Sequence, residues 1–285
     1  MMYEVVWQYD ENEPHRDEKP ADADAARRRL LAGNEEFASF FAPHRQAGET
    51  TRHIVKVTPQ DVGISGRPGQ APRQTAFAAF LSCADARVPV ELIFGQKAND
   101  LFVVRVAGNV LGDESLGSLD FAVGQLGTVR LLAVLGHTGC GAVTAAVDAY
   151  LTPAGYLGIA ASFPLQTIVS SLMAPVRGAA FALAAVHGEK AAQRPGYRQA
   201  LIETTVMLNA ALSASVLVHN FHDALGERLQ VSFGVYDLQR RTAGLPGESG
   251  EWQVGLFAPP TTAAAFDAFG VRAARSDLVL AALDA

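Results

Sequence analysis

The chain has 285 residues, 49% of them apolar and 18% charged, with a formal net charge of −6 and two cysteines. That balance fits a globular protein with a sizeable core and excludes intrinsic disorder. The acidic charge excludes a nucleic-acid footprint, and no apolar run in the sequence approaches the ~20 residues that cross a bilayer.

Residues 1–20 mix Glu, Asp, Asn and Pro without periodicity and read as a flexible arm. The stretch Met1 to Asp10 carries Glu4 and Asp10 and no basic residue, unlike a secretory signal, so a cytoplasmic location is expected. A reducing compartment argues in turn against a disulfide. From Ala21, Ala25, Leu30, Leu31, Phe37 and Phe40 recur near helical spacing, which predicts an N-terminal helical arm interrupted at Gly33-Asn34. Residues 43–75 are polar, rich in Gly and Pro, and read mainly as loop.

The middle of the chain alternates. Strands are expected at 76–83, 101–106 and 130–136, with helices at 88–95 and near 114–126. The strands are continuous apolar runs, as buried parallel strands are, and their alternation with helices implies βαβ units. The predicted class is α/β, a central mainly parallel β-sheet flanked by helices. Residues 141–226 are Ala-rich and mostly helical, broken by Pro153, Pro164, Pro175 and Pro195-Gly196. Leu229 to Tyr236 alternates like a strand, and Trp252 to Phe257 is expected to pair with it across the turn-rich stretch Ala243–Gly250. One catalytic domain is expected over 21–260, followed by a helical extension over 261–285.

Cys83, Arg105 and His137 all fall at or near the carboxyl ends of predicted strands, where open α/β sheets gather their ligands. His137 and Cys140 are three apart at a strand-to-helix turn, so both can enter one coordination sphere. Either cysteine alone would pass for a small buried hydrophobe, and His137 alone for a satisfied core residue. Together, two thiolates and an imidazole suit zinc, and three protein ligands leave a fourth position for water. Asp85 and Arg87 are two apart and can pair on one side of an extended segment, which would keep the carboxylate ionised. Asp85 has two possible partners: Arg87 in an open state, or the metal itself, as a fourth ligand, in a closed one. Arg105 is open to two readings, a structural partner or a bicarbonate-related group. Two thiolates also cancel the charge of Zn²⁺, so a water there is expected to titrate above the ~7 typical of a catalytic zinc.

With these residues in place, the chain resembles the β-class carbonic anhydrases over roughly Ala21 to Leu238. The resemblance rests on Cys83-Ala84-Asp85-Ala86-Arg87, Arg105-Val106-Ala107-Gly108-Asn109 and His137-Thr138-Gly139-Cys140-Gly141. Gly117 to Val123 and Arg29 to Phe37 are similar to two of the family's helices. The resemblance implies zinc on Cys83, His137 and Cys140, an Asp85–Arg87 catalytic dyad, and reversible hydration of carbon dioxide to bicarbonate. It also implies a homodimer or dimer of dimers with no nucleic-acid or membrane partner, and a substrate pocket at Gln74, Phe102 and Gly141, with Gln70 as a rival to Gln74. The sequence departs from the family pattern at Ala86, Val106 and Phe121, and the region after Cys140 is long. Two other functions share the same metal site: hydrolysis of carbonyl sulfide or carbon disulfide, and a non-catalytic anion sensor or scaffold with Asp85 on the metal.

Overall fold

A computed structural model describes residues 2–9, 18–40, 50–64, 68–159, 162–226 and 228–285. Its strands are β1 Met2–Gln8, β2 Thr50–Lys56, β3 Ala78–Ser82, β4 Leu101–Arg105, β5 Leu131–His137, β6 Gln230–Asp237, β7 Thr242–Pro246 and β8 Trp252–Val254. Its helices are α1 Ala23–Phe40, α2 Val90–Ile93, α3 Asp113–Gln125, α4 Gly141–Leu151, α5 Tyr156–Ile159, α6 Phe163–Ser171, α7 Met173–His187, α8 Tyr197–Asn220, α9 Ala263–Ala274 and α10 Asp277–Leu283.

The main sheet runs β4-β3-β5-β6-β7-β8, with the first four strands parallel and the last two antiparallel. β3 and β5 are buried along their whole length because helices cover both faces, which explains their unbroken apolar runs. Alternate residues face opposite layers. Ala79, Leu81, Leu132 and Val134 join the core beneath α4, α7 and α8, while Ala78, Phe80, Leu131 and Ala133 join a second core with α1 and α2. Ser82 pairs with both Arg105 and Leu135, so Cys83, Arg105 and His137 end at one edge of the sheet.

Three sequence expectations change. The segments read as arm and loop each contain a strand: β1 and β2 pair in parallel, Val5 beside His53 and Trp7 beside Val55. Residues 1, 10–17, 43–49 and 65–67 of those segments lie outside the described residues. Second, the start of the stretch Ala243–Gly250, read as turn-rich, belongs to a strand, Thr242–Pro246, inserted between β6 and β8; among the described residues only Phe233 and Phe257 bridge directly, as the expected pairing had it. Third, α1 runs through Gly33-Asn34 without a break. A Cβ on Gly33 would stand 1.9 Å from the Phe94 carbonyl oxygen, so only glycine lets α1 lie this close to α2. Asn34 is buried there; its Nδ2 donates to the carbonyls of Ile93 (3.1 Å) and Arg241 (3.2 Å), and its Oδ1 accepts from Ala243 N (2.8 Å).

α8 and the Phe163–His187 stretch are long and apolar enough to cross a membrane by length and composition, although no apolar run in the sequence suggested it. α8 owes that composition to its place in the core, where 78% of its most apolar window is buried. It packs against β5 and β6, with α7, α9 and α10 also in contact with it. Thr262 and Ser276 cap α9 and α10, their side chains accepting from Ala265 N and Val279 N.

Candidate metal centre

Three buried side chains meet at the carboxyl edge of the sheet. Cys83 leaves β3, His137 closes β5, and Cys140 is the N-cap of α4. Their ligand atoms all lie within 4.8 Å of one another, and the two sulfurs are 3.9 Å apart. Two thiolates each ~2.3 Å from a tetrahedral zinc stand ~3.8 Å apart, so this spacing matches a shared ion. Neither cysteine is in a disulfide.

The imidazole is set for the same task. His137 Nδ1 lies 3.0 Å from the Thr138 carbonyl, which can only accept, so Nδ1 carries the proton and Nε2 presents a lone pair. Nε2 is fully buried and has no hydrogen-bond partner among the described residues. A buried acceptor without a donor costs free energy, and a cation between it and the sulfurs removes that cost. The thiols are unequal. The bond to Cys140, with help from His137, pulls the Cys83 thiol well below its ordinary range, whereas the shared proton and burial push Cys140 up. Gly108 N–H donates to the Cys83 sulfur at 3.3 Å, and the first amides of α4 favour the charged form of Cys140. A bound cation would take the place of the shared proton.

Asp85 stands at the rim. Arg87 grips its carboxylate with Nε at 3.0 Å, Nη2 at 2.7 Å and its backbone N–H at 2.9 Å. Arg87's side-chain bonds hold that carboxyl well below the usual range, overcoming the opposite push of desolvation. Asp85 Oδ2 is 3.8 Å from the free Nε2 of His137, two acceptors facing one space. Arg105 donates to the backbone carbonyls of Cys83 (Nε, 3.0 Å) and Asp85 (Nη2), so it clamps the segment that carries both a ligand and the carboxylate.

Of the remaining sequence candidates only Gly141 adjoins the centre. Gln74 is exposed and precedes β3, at the opposite end of that strand from Cys83. Gln70 is exposed in the same segment. Phe102 pairs with Ala79 in the sheet and is half-buried on the core that holds both cysteines, its ring 6.4 Å from that of half-exposed Phe121. Gly141 opens α4 with clear space where a side chain would point. The sequence reading passed over two buried polar residues of α8, Glu203 and Asn209, which hold the loops around the centre. A carboxylate within the apolar run Ala200-Leu201-Ile202-Glu203 was the available signal.

Comparison with known proteins agrees with this arrangement. The family description "Carbonic anhydrase" matches residues 78–240, more than half of the chain and all of the centre. Carbonic anhydrase 2 of Mycobacterium tuberculosis is 38% identical over 136 residues, 47% of this chain and 58% of that relative. The carbonic anhydrase of Mycolicibacterium smegmatis is 42% identical over 98 residues, 33% of this chain and 47% of that relative. The matched stretches thus span about half the length of these curated relatives. Among solved structures, one of two tetrameric β-carbonic anhydrases from Sordaria macrospora aligns with a TM-score of 0.48 at 22% identity, over 60% of this chain and 80% of the other.

Proposed function

The chain belongs to the β-class carbonic anhydrase family, and from that premise we propose that it is a zinc enzyme hydrating carbon dioxide reversibly to bicarbonate and a proton. One observation carries the reading: two sulfurs and an unpartnered imidazole nitrogen converge within 4.8 Å, with an ionised carboxylate at their rim. When bound, zinc supplies an acidified water, and with two thiolates balancing its charge that acidification is complete only above the usual ~7. Asp85 accepts a hydrogen bond from the attacking water and aims it; Arg87 keeps Asp85 charged and turned toward the centre. Arg105 holds the backbone between Cys83 and Asp85, so the ligand and the carboxylate keep a fixed separation. Phe102 pairs with Ala79, short of the carboxyl edge of the sheet, so it can offer an apolar wall to a linear, uncharged substrate only from a second protomer.

Gln74 can serve such a site only across an interface, because its own Cys83 lies beyond the length of β3. This position and the half-exposed Phe121 support a homodimer in which the exposed rim of one protomer meets the other. Both cysteines must remain reduced to bind metal, so the compartment we propose is a reducing cytoplasm. The test is stopped-flow hydration on protein of known zinc content. About one zinc per chain is expected on the three-ligand argument. Asp85→Asn should keep the zinc and lose roughly 100-fold or more in kcat/KM. Full activity in that variant refutes the dyad, and absence of hydration by zinc-loaded wild type at pH ~7 and ~8.5, on either side of the expected titration, refutes the activity.

A further inference from the structure

Two buried polar side chains on α8 reach the two loops that deliver the ligands. Glu203 accepts from the Gly139 N–H, 3.2 and 3.4 Å from its two oxygens. That N–H shares one rigid peptide plane with the Thr138 carbonyl, which takes the proton of His137 Nδ1 at 3.0 Å. The carboxylate therefore acts on the imidazole through a single peptide. Asn209 reaches a sulfur by a longer link: its Nδ2 donates to the Gly108 carbonyl at 2.8 Å, and the N–H of the same residue, in the preceding peptide, donates to Cys83.

Glu203 is an expensive group to bury. It is 5% exposed, and no basic side chain pairs with it among the described residues; its side-chain partner is Gln199, whose Nε2 donates at 2.6 Å. An apolar residue of the same volume would serve packing better, so retaining a carboxylate points to a demand for its acceptor atoms.

We propose that α8 is the alignment element of the metal centre, with Glu203 and Asn209 as positioning residues that orient His137 and Cys83 through one intervening residue each. The proposal rests on the reading of Cys83, His137 and Cys140 as metal ligands. Outer partners of metal ligands typically contribute about 10–100-fold to metal affinity.

The experiment is cobalt(II) titration of the full-length, metal-stripped protein against a competing chelator, reading affinity and the thiolate-to-cobalt charge-transfer band. Glu203→Met and Asn209→Leu keep the volume and remove the hydrogen bond; Glu203→Gln keeps an acceptor oxygen. Both apolar variants should fold cooperatively, bind cobalt about 10–100-fold more weakly and shift the charge-transfer band. Glu203→Gln should bind within a few-fold of wild type. A merely structural role predicts stable apolar variants with wild-type affinity and spectrum, and that result overturns the proposal. If one apolar variant fails to fold, the other decides by the same readings; if neither folds, the pair is scaffold and the proposal falls. Wild type that takes up no cobalt overturns the metal reading itself, whereas wild type that binds with unchanged variants overturns only the positioning roles.

Discussion

Asp85 keeps its charge because a guanidinium fork and a backbone N–H both donate to it, and Glu203 is driven toward neutrality because burial outweighs its two donors. The two carboxyls stand near the same centre with opposite titration. Burial pushes Glu203 up to about 7, with Asp237 adding to the rise and the Gly139 amide, Gln199 and His137 opposing it. The sign follows directly. Below the unfolded value near 4.5 the group is neutral in both states and costs nothing; between there and about 7 the penalty for burying its charge grows, and stability falls as pH rises. Glu203→Gln carries no such penalty. Urea unfolding of the metal-free proteins should show the variant gaining on wild type between pH 5 and 8, by an amount on the order of 2–3 kcal/mol at most. A gap that does not change with pH contradicts the assignment.

At the scale of elements, the strand ends set the ligands and the helices set the strand ends. Three of the four parallel strands, β3, β4 and β5, were legible as apolar runs, and the centre was legible because its residues cluster in short stretches at the ends of two of them, Cys83 to Arg87 and His137 to Gly141. β1 and β2 were not, because their partners are far apart in sequence and no apolar run marks two short strands pairing only with each other. β7 was hidden by Gly244, Pro246 and Gly247, which resemble turn residues yet occupy or adjoin a narrow strand beside Trp252 and Gln253. The roles of Arg105, Glu203 and Asn209 were illegible because each acts on a backbone group, which leaves no mark in residue type. The turn after β4 illustrates how tightly these pieces meet. Gly108 has φ +66, and a Cβ there would lie 3.2 Å from both Ala142 Cβ and Leu172 Cδ1. Gly108→Ala should therefore lower stability by about 1–3 kcal/mol, read as a urea midpoint shift, and weaken metal retention by moving the amide on Cys83. An unchanged midpoint would show that the turn has slack.

For the whole molecule, the exposed rim is where the proposed homodimer would meet. Ala84, Ala86, Arg87, Phe121, Gly139 and Gly141 are all exposed on the described chain, while Gln74 lies at the far end of β3. Sedimentation should find a species of at least twice the 30.1 kDa chain mass, and Phe121→Asp should shift it toward monomer. A wild-type monomer at micromolar concentration contradicts a site shared between protomers. The proposed activity depends on a single ion joining β3, β5 and the start of α4. Zinc-edge X-ray absorption on the purified, reduced protein tests this most directly. The predicted spectrum has two sulfurs at ~2.3 Å and one imidazole nitrogen at ~2.0 Å, completed by one light atom. A zinc shell without sulfur, or protein that takes up no zinc, would contradict it.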